Sequence, residues 1–314
     1  MEARSNSSAS LAAEITQSSS KQTYYTIRLF VDHEHVDDAF RAYGYFRWVD
    51  DVIDARSGAQ EEKISFAQRQ QGLLNACYRG ETPDEISVEE QMLVDLVHHD
   101  TEKNSGLRTY LYNMMDVMVF DANRRGRTIS QVELFEYSRK LSVAVTEALY
   151  YFIGHNDPTP VHEARYLAVT AAHITHMLRD AVEDVEDGYF NIPQEYLKLR
   201  NILPNDLTSQ AYREWVCGRV QIAHEYFRLG LECTTKVKNV RCRLAGFAYT
   251  ARFEWMLRTI ERDQYCLRSE YPERKGLHAA LWMAWSALVS IFSLPMMRFT
   301  PRKLAPQPIR INKP

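Results

Sequence analysis

The sequence predicts an all-α protein that folds as a single domain, and three observations indicate this. The 314 residues include only 12 glycines and 11 prolines, so few turns interrupt the chain. Apolar residues recur at intervals of three and four over most of the length, as on a helix that buries one face. No segment alternates apolar and polar residues with the β-branched enrichment that is typical of a strand.

The helical spacing divides the chain into segments that end at glycine and proline. We expect helices at 39–53, 89–99, 108–120, 131–152, 163–185, 209–236, 241–265 and 277–292. This pattern predicts eight to ten helices and no sheet. The middle of the chain contains neither a fixed-period repeat nor a low-complexity linker, which favours one domain over two.

The two ends of the chain differ from its middle. Residues 1–20 are rich in serine and lack the basic start and apolar centre of a signal peptide, so we expect a flexible tail there. We expect residues 21–297 to form the folded domain. Its last helix, 277–297, is nearly free of charge and lies at the lower limit of the length that a bilayer span requires.

Residues 298–314 form a basic tail, with five cationic side chains and no acidic one. A core helix followed by a frayed tail is the simplest interpretation of this end. The alternative is peripheral contact with an anionic membrane surface through the helix and the tail.

Charge and cysteine usage exclude several classes of protein. A net charge of −3 and a pI near 6.4 argue against a nucleic-acid binder, which needs a broad basic surface. The five cysteines form no CxxC pair, so neither a zinc ribbon nor a secreted disulfide scaffold is indicated. We therefore expect a cytoplasmic protein, with attachment to the inner face of the membrane as a further hypothesis.

Two acidic clusters stand out because apolar residues surround them. In the first, Asp50 and Asp54 are four residues apart and share one face of a predicted helix with Arg47 and Tyr43. A helix with so much apolar surface is expected to be largely buried. Carboxylates there must be paired, hydrogen-bonded or bound to a metal. A solvated acidic face paired with Arg47 is the alternative.

The second cluster repeats this spacing about 130 residues further on. Asp180 and Asp184 are again four residues apart, with Glu183 beside them and His176 one turn earlier. Taken alone, this cluster also fits a plain amphipathic helix with a solvated acidic face.

Together the two clusters indicate chemistry on a diphosphate. Carboxylates that face each other across a helical bundle repel unless divalent cations neutralise them, and Mg²⁺ prefers oxygen ligands and leaves positions open for phosphates. Mg²⁺ stabilises a departing diphosphate, and basic side chains hold its outer oxygens. Candidate basic residues are Lys21, Arg47, Arg124, Arg125, Arg127, Arg179, Arg274 and Lys275.

Five segments, in order along the chain, resemble the squalene/phytoene synthase family. They are 20–25 (SKQTYY), 43–54 (YGYFRWVDDVID), 115–127 (MDVMVFDANRRGR), 177–197 (MLRDAVEDVEDGYFNIPQEYL) and 252–265 (RFEWMLRTIERDQY). One such segment is weak support. Five in order over nearly the whole chain identify a divergent member of this family.

The resemblance implies an isoprenoid-synthase helical bundle around a central apolar cavity that holds two prenyl diphosphates of 15 or 20 carbons. It places the metal ions, Mg²⁺ or alternatively Mn²⁺, on Asp50, Asp54, His176, Asp180 and Asp184, with Tyr43 beside them as a catalytic residue. It places the diphosphates on Lys21, Arg47, Arg179, Arg274 and Lys275. It places Tyr24, Val143, Asn191 and Phe253 along the cavity.

The chain departs from the family pattern at several of these positions. His176 replaces an asparagine that helps to bind metal, and imidazole is a poorer ligand for Mg²⁺ than oxygen. Arg139, Asn191 and Phe253 replace tyrosines, and Val143 replaces a glycine that leaves room for the prenyl chain. These changes spare the four aspartates but alter the cavity in which an intermediate rearranges.

Three functions therefore stay open at this point. The first is magnesium-dependent head-to-head condensation of two prenyl diphosphates. The second is cyclisation or hydrolysis of a single prenyl diphosphate, as in class I terpene synthases. The third is a non-catalytic binding or assembly role with the same fold. Because no glycine-rich dinucleotide fingerprint is present, we expect no use of NADPH.

Overall fold

The computed structural model describes residues 2–81, 85–154, 162–272 and Trp282, and within these ranges the chain is built of α-helices. The prediction of an all-α fold is confirmed. No strand occurs in the described ranges, and their sole β-type contact is an isolated bridge between Thr128 and Phe190. The predictions for Arg274, Lys275, the helix at 277–297 and the tail at 298–314 lie outside the described residues, apart from Trp282.

Eleven α-helices follow one another in the described part of the chain. They are α1 (Glu2–Ser19), α2 (Lys21–Phe30), α3 (Val36–Asp54), α4 (Gln60–Tyr78), α5 (Glu90–His99), α6 (Gly106–Arg124), α7 (Gln131–Phe152), α8 (Leu167–Glu186), α9 (Gln194–Arg200), α10 (Gln210–Thr234) and α11 (Val240–Arg262). Short 3₁₀ turns at His33–His35 and Glu163–Tyr166 precede α3 and α8. Each of the seven predicted helices in the described ranges corresponds to one of these helices, and α7 has the predicted bounds.

The expectation of a flexible tail at 1–20 is wrong, because this segment forms helix α1 and packs along α3. Ala12 and Thr16 are fully buried, and Gly44 of α3 allows the close approach, since a Cβ atom there would lie 3.0 Å from Ala12 Cα. Arg41 Nε donates to Ser8 Oγ at 2.9 Å, and Ser8 Oγ donates to Asp95 at 2.5 Å. Small serine side chains therefore suit a closely packed helix here.

Serine caps set the first residues of the helices that carry the central side chains. Ser105 Oγ accepts from the amide of Arg108 at 2.8 Å at the start of α6. At the start of α7, Ser130 Oγ accepts from the amide of Glu133, whose side chain accepts from the Ser130 amide at 2.8 Å. Each cap satisfies amide groups that lack a partner within the helix.

The core consists of two apolar clusters. The first lies mainly among α1–α7 and contains Phe40 and Tyr45, and the second lies mainly among α8, α10 and α11 and contains Phe227 and Leu257. Tyr137 of α7 packs against both clusters. Polar groups near Tyr137 therefore lie where the two halves of the core meet.

Three further features concern the contacts of Trp282, the apolarity of the helices and the state of the cysteines. Trp282 lies against α11, with the Arg258 guanidinium 4.2 Å from its ring centre and the Trp255 ring 6.3 Å away. Among the described helices, none combines the length and the apolarity that crossing a bilayer requires. All five cysteines are free.

Helix α10 contains two glycines whose surroundings predict opposite effects on stability. A Cβ atom on Gly230 would lie 2.5 Å from the backbone nitrogen of Ala168, which cannot move without shifting α8. We expect Gly230→Ala to lower the free energy of unfolding by about 1–3 kcal/mol, the usual cost of overpacking. Urea unfolding followed by circular dichroism measures this change.

Gly218→Ala is the matched control on the same helix. A Cβ atom on Gly218 would have no neighbour within 4 Å, so the substitution restricts the unfolded chain without a clash. We expect it to raise the free energy of unfolding by about 0.4–1 kcal/mol. Equal effects of the two substitutions would contradict the close approach of α10 to α8.

Candidate active site

The first aspartate pair lies at the end of α3, where one carboxylate is half-buried and the other is exposed. Asp50 Oδ2 lies 3.4 Å from Arg47 Nη1, and Arg47 also contacts Asp51. Asp54 Oδ1 accepts a hydrogen bond of 2.7 Å from Tyr189 Oη. Burial and the charge of Asp54 raise the pKa of Asp50 from 3.8 to about 7.

The second pair lies in the last two turns of α8. Arg179 donates from Nε to Asp180 Oδ1 at 2.6 Å and from Nη2 to the other carboxylate oxygen. Asp184 Oδ2 accepts from Asn191 Nδ2 at 2.7 Å. Burial and the charge of Asp180 raise the pKa of Asp184 from 3.8 to about 8.

A buried ion pair on α6 lies between the two aspartate pairs. Arg124 Nε donates to Asp121 Oδ1 at 2.5 Å, and Tyr137 Oη donates to Asp121 Oδ2 at 3.1 Å. The negative charge of Asp121 contributes to the raised pKa of both Asp50 and Asp184. Helices α3, α6 and α8 therefore direct carboxylates toward one region, although these residues are distant in sequence.

Arg124 links this central carboxylate to the second pair. Its Nη1 donates to Asn191 Oδ1 at 2.8 Å, and its guanidinium lies 4.8 and 4.9 Å from the ring centres of Tyr137 and Tyr189. Burial raises the pKa of the Asp121 carboxyl, and the charge and hydrogen bond of Arg124 oppose that shift. A buried cation thus partly offsets the crowded negative charge.

Two glycines allow the segment after α8 to lie close to the loop after α6. Gly188 has a φ of +87°, and its carbonyl accepts from the Gly126 amide at 2.8 Å. A Cβ atom on Gly188 would lie 3.3 Å from the Gly126 nitrogen, so a side chain there would interfere with this approach. The parallel bridge between Thr128 and Phe190 continues the contact. Residues 189–191 therefore run extended beside the loop after α6.

Three residues predicted along the cavity, together with the predicted metal ligand His176 and the predicted diphosphate-binding residue Lys21, lie on several helices. Val143 of α7 and Phe253 of α11 are buried, and the exposed His176 ring lies edge-on to Phe253 at 5.2 Å. Tyr24 is half-buried, with its ring 5.2 Å from that of Phe40. Lys21 is exposed at the start of α2. Tyr24 packs against the first apolar cluster and Phe253 belongs to the second, so these two residues lie in different parts of the core.

Two other positions bear on the predicted site. Tyr43 of α3 is half-buried one turn before Arg47. Burial lowers the pKa of the Arg47 guanidinium, and the hydrogen bond to Asp51 and the charges of Asp50 and Asp51 raise it above its ordinary value. Arg139 forms an ion pair of 2.8 Å with Glu163, and both side chains are largely exposed. The family tyrosine at position 139 is therefore replaced by a surface residue.

The residues that connect the two aspartate pairs have no such role in the sequence-based predictions, where Arg124 is a candidate for diphosphate binding and Asp121, Tyr137 and Tyr189 have no assigned role. Asp121, Arg124 and Tyr137 form the central contacts, and Tyr189 reaches Asp54 from a position 135 residues away. Their spacing carries no periodic signal, because the contacts cross between helices. The sole hint in the sequence is that Asp121 precedes a basic turn in a segment that resembles the family.

The donor chemistry of the site suits a hard cation. Each aspartate pair supplies carboxylate oxygens, which Mg²⁺ prefers, and Mg²⁺ usually binds through one or two carboxylates and completes its shell with water and phosphate oxygens. Among the described residues, no three His, Cys, Asp or Glu side chains form a cluster that could hold a metal ion by itself. A cation bound at one aspartate pair would complete its shell with water or with phosphate oxygens of the substrate.

Two cavities lie near the site. The larger, about 240 Å³, lies between α6 and α7, with Phe120 and Tyr137 in its wall and Glu136 and Lys140 at its rim. The smaller, about 10 Å³, lies between α8 and α11 beside Arg179, Arg252 and Phe253. The smaller cavity has the volume of about one water molecule.

The raised pKa of Asp184 predicts how pH affects the stability of the metal-free protein. Because the folded-state pKa is near 8 and the ordinary value is 3.8, the stabilising contribution is complete below pH 4 and is lost as the pH rises to 8. We expect Asp184→Asn to raise the free energy of unfolding at pH 8.5 by about 1–2 kcal/mol, because solvent screens part of the linkage energy.

Urea unfolding in the presence of EDTA at pH 4.5 and pH 8.5 measures this effect. The gain from Asp184→Asn should be near zero at the lower pH, and Mg²⁺ should stabilise the unsubstituted protein at the higher pH. Glu183→Gln, at the exposed neighbouring position, is the control and should change stability little at either pH. If Asp184→Asn stabilised the protein equally at both pH values, repulsion between neighbouring carboxylates would not be the cause.

Comparison of the sequence with protein families and with curated proteins finds relatives over most of the chain. The profile of the squalene/phytoene synthase family matches residues 16–277. A presqualene diphosphate synthase of Zymomonas mobilis subsp. mobilis is 25% identical over 201 residues, which are 64% of this chain and 66% of that protein. A presqualene diphosphate synthase of Rhodopseudomonas palustris is 22% identical over 185 residues, 59% and 62% of the two chains. Each match spans less than two thirds of the relative's length.

Solved structures share the fold. The squalene synthase HpnC of Alicyclobacillus acidocaldarius aligns with a TM-score of 0.65 at 16% identity, over 83% of this chain and 95% of that one. A dehydrosqualene synthase solved with a ligand aligns with a TM-score of 0.67 at 14% identity, over 92% and 97% of the two chains. At these identities the likeness shows the fold alone.

Proposed function

The chain belongs to the squalene/phytoene synthase family, and from this premise we propose that it joins two prenyl diphosphates of 15 or 20 carbons head to head, with loss of diphosphate and with dependence on Mg²⁺. The observation that carries the proposal is the meeting of carboxylates from α3, α6 and α8. Burial, and then the charges of Asp54 and Asp121, raise the pKa of Asp50. Burial, and then the charges of Asp180 and Asp121, raise the pKa of Asp184.

Asp50, Asp54, Asp180 and Asp184 are the residues that would hold Mg²⁺ between the protein and the substrate. The bound ions would stabilise the negative charge that develops on the departing diphosphate. Arg47 and Arg179 already contact aspartates of the two pairs, so both guanidinium groups lie within reach of a diphosphate bound there. Arginine suits this task because its planar group forms paired hydrogen bonds to phosphate oxygens.

Departure of one diphosphate would leave an allylic cation, which the double bond of the second substrate would attack to give a new carbocation. Loss of a proton from this carbocation to the departed diphosphate would then close a cyclopropyl ring. Two curated relatives are named presqualene diphosphate synthases. Their name supports the proposal that the cyclopropyl compound is released as a product and that it retains the diphosphate of the second substrate. Buried apolar side chains such as Val143 and Phe253 would keep water from the cation.

Product analysis tests the proposal. Purified protein is incubated with farnesyl or geranylgeranyl diphosphate and Mg²⁺, with and without NADPH, and the extract is analysed by mass spectrometry while pyrophosphate is measured. We expect a C30 or C40 product that requires no NADPH. An alcohol or cyclic hydrocarbon of 15 or 20 carbons would favour action on a single substrate. Absence of pyrophosphate release from folded protein would contradict an enzymatic role.

Peripheral membrane contact through residues 277–314 is a separate proposal, supported by the apolar segment and the basic tail. It would place the enzyme beside the lipid in which prenyl chains dissolve. Co-sedimentation with anionic vesicles, before and after truncation following Arg274, tests it. We expect the truncated chain to lose binding, and equal binding of both chains would contradict the proposal.

A further inference from the structure

The segment after α8 reaches both aspartate pairs at once. Residues two apart in an extended segment point to the same side. Tyr189 Oη donates to Asp54 Oδ1 of the first pair at 2.7 Å, and Asn191 Nδ2 donates to Asp184 Oδ2 of the second pair at 2.7 Å. Two neighbouring side chains therefore span the distance between helices α3 and α8.

The direction of the hydrogen bonds at Asn191 is determined by its neighbours. Arg124 can only donate, so the oxygen of the Asn191 amide must face it, and the 2.8 Å contact with Nη1 joins these atoms. The amide nitrogen then faces Asp184 and can only donate to it. Because Asn191 is 5% exposed and Arg124 is also 5% exposed, water cannot easily substitute for either partner.

The ring of Tyr189 is also held in place by its neighbours. The guanidinium groups of Arg124 and Arg125 lie 4.9 and 5.7 Å from its ring centre, which favours a fixed ring over a rotating one. The Tyr189 hydroxyl donates to Asp54, because a carboxylate can only accept a hydrogen bond.

These contacts occupy one oxygen of each carboxylate. Within the described ranges, Asp54 and Asp184 accept no other side-chain hydrogen bond, so Asp54 Oδ2 and Asp184 Oδ1 stay available. We propose that Tyr189 and Asn191 are positioning residues, each of which orients one metal-binding aspartate by holding one of its oxygens and directing the other toward the cation. This inference rests on the proposed function, since it concerns the same cation.

Backbone hydrogen bonds fix the segment that carries Tyr189 and Asn191, and they do not involve the cation. The Gly188 carbonyl is tied to the Gly126 amide, Phe190 bridges to Thr128, and the Gln194 amide donates to the Ile129 carbonyl at 2.8 Å. The segment is therefore anchored to the loop after α6 on both sides of Tyr189 and Asn191. Groups that orient a metal ligand from an anchored segment typically change metal affinity 10- to 100-fold when they are removed.

Titration with Mn²⁺ in the absence of substrate tests the inference. We expect Tyr189→Phe and Asn191→Leu each to weaken Mn²⁺ binding about 10-fold in isothermal calorimetry. The rate of pyrophosphate release should recover at high Mg²⁺ concentration, because a weaker site can still be filled. A merely structural role would lower the melting temperature without this recovery.

Matched controls remove the same groups elsewhere. Tyr196→Phe deletes a hydroxyl that donates to the Ala211 carbonyl at 2.8 Å, and Asn113→Leu deletes an amide that donates to the Thr109 carbonyl at 2.8 Å. Neither residue contacts an aspartate of the two pairs, so both variants should bind Mn²⁺ like the unsubstituted protein.

The outcomes separate this inference from the proposed function. If the unsubstituted protein binds Mn²⁺ and releases pyrophosphate but the two variants bind Mn²⁺ equally well, the inference is overturned and the function stands. If the unsubstituted protein binds Mn²⁺ and releases no pyrophosphate, the function fails, while weaker binding by the variants still supports the positioning role. A protein that binds no Mn²⁺ would overturn both.

Discussion

Asp50→Asn is expected to lower kcat/KM for pyrophosphate release by about 10³-fold, which is the size of effect seen when a group that stabilises transition-state charge is removed. Asp50 is half-buried beside Asp54, and its carboxylate would bind the cation that faces the departing diphosphate. An amide has the same shape and lacks the charge. The measurement is steady-state pyrophosphate release at saturating Mg²⁺ with farnesyl diphosphate.

Asp51→Asn is the matched control, since it removes the same charge one residue further along α3. The Asp51 side chain is 52% exposed and pairs with Arg47 at the surface. We expect its kcat/KM to stay within about threefold of the unsubstituted value, as for a typical exposed ion pair. Equal losses from Asp50→Asn and Asp51→Asn would show that the total charge of this helix end matters and the position of the carboxylate does not.

Arg124→Met is expected to lower the free energy of unfolding by about 3–5 kcal/mol, the usual cost of removing one partner of a buried ion pair. The substitution would leave Asp121 without its cation and Asn191 without its donor. Methionine fills a similar volume, so the loss reports on charge more than on packing. Urea unfolding at pH 7 measures it.

The pH dependence of this loss identifies its cause. Burial already raises the pKa of Asp121, and removal of Arg124 raises it further, so the carboxyl of the variant is protonated more readily. The loss of stability should therefore be smaller at pH 5 than at pH 8. Arg127→Met is the control, because its pair with Glu133 is exposed and should contribute about 0–1 kcal/mol. A loss that does not change with pH would point to packing instead.

The sequence was sufficient wherever the signal was local. The apolar period of α7 predicted its bounds, since Ser130 caps one end and the following glycine marks the other. The sequence did not predict α1, because apolar and polar residues are not separated onto two faces of this serine-rich helix. Its stability comes from close packing against α3. Helices α2, α4 and α9 were missed for a related reason, since they are short or rich in polar residues.

By itself the sequence determined the helical fold and the two aspartate pairs, because these depend on spacings within single helices. It also determined the family resemblance, because this depends on the order of short segments along the chain. Only the tertiary structure decided which carboxylates approach one another and which side chains hold them. Tyr189 meets Asp54 across 135 residues, and Arg124 meets Asn191 across 67. Such contacts depend on how the helices pack against each other. The packing energy depends on the fit between two surfaces, so it cannot be read from the sequence of either helix alone.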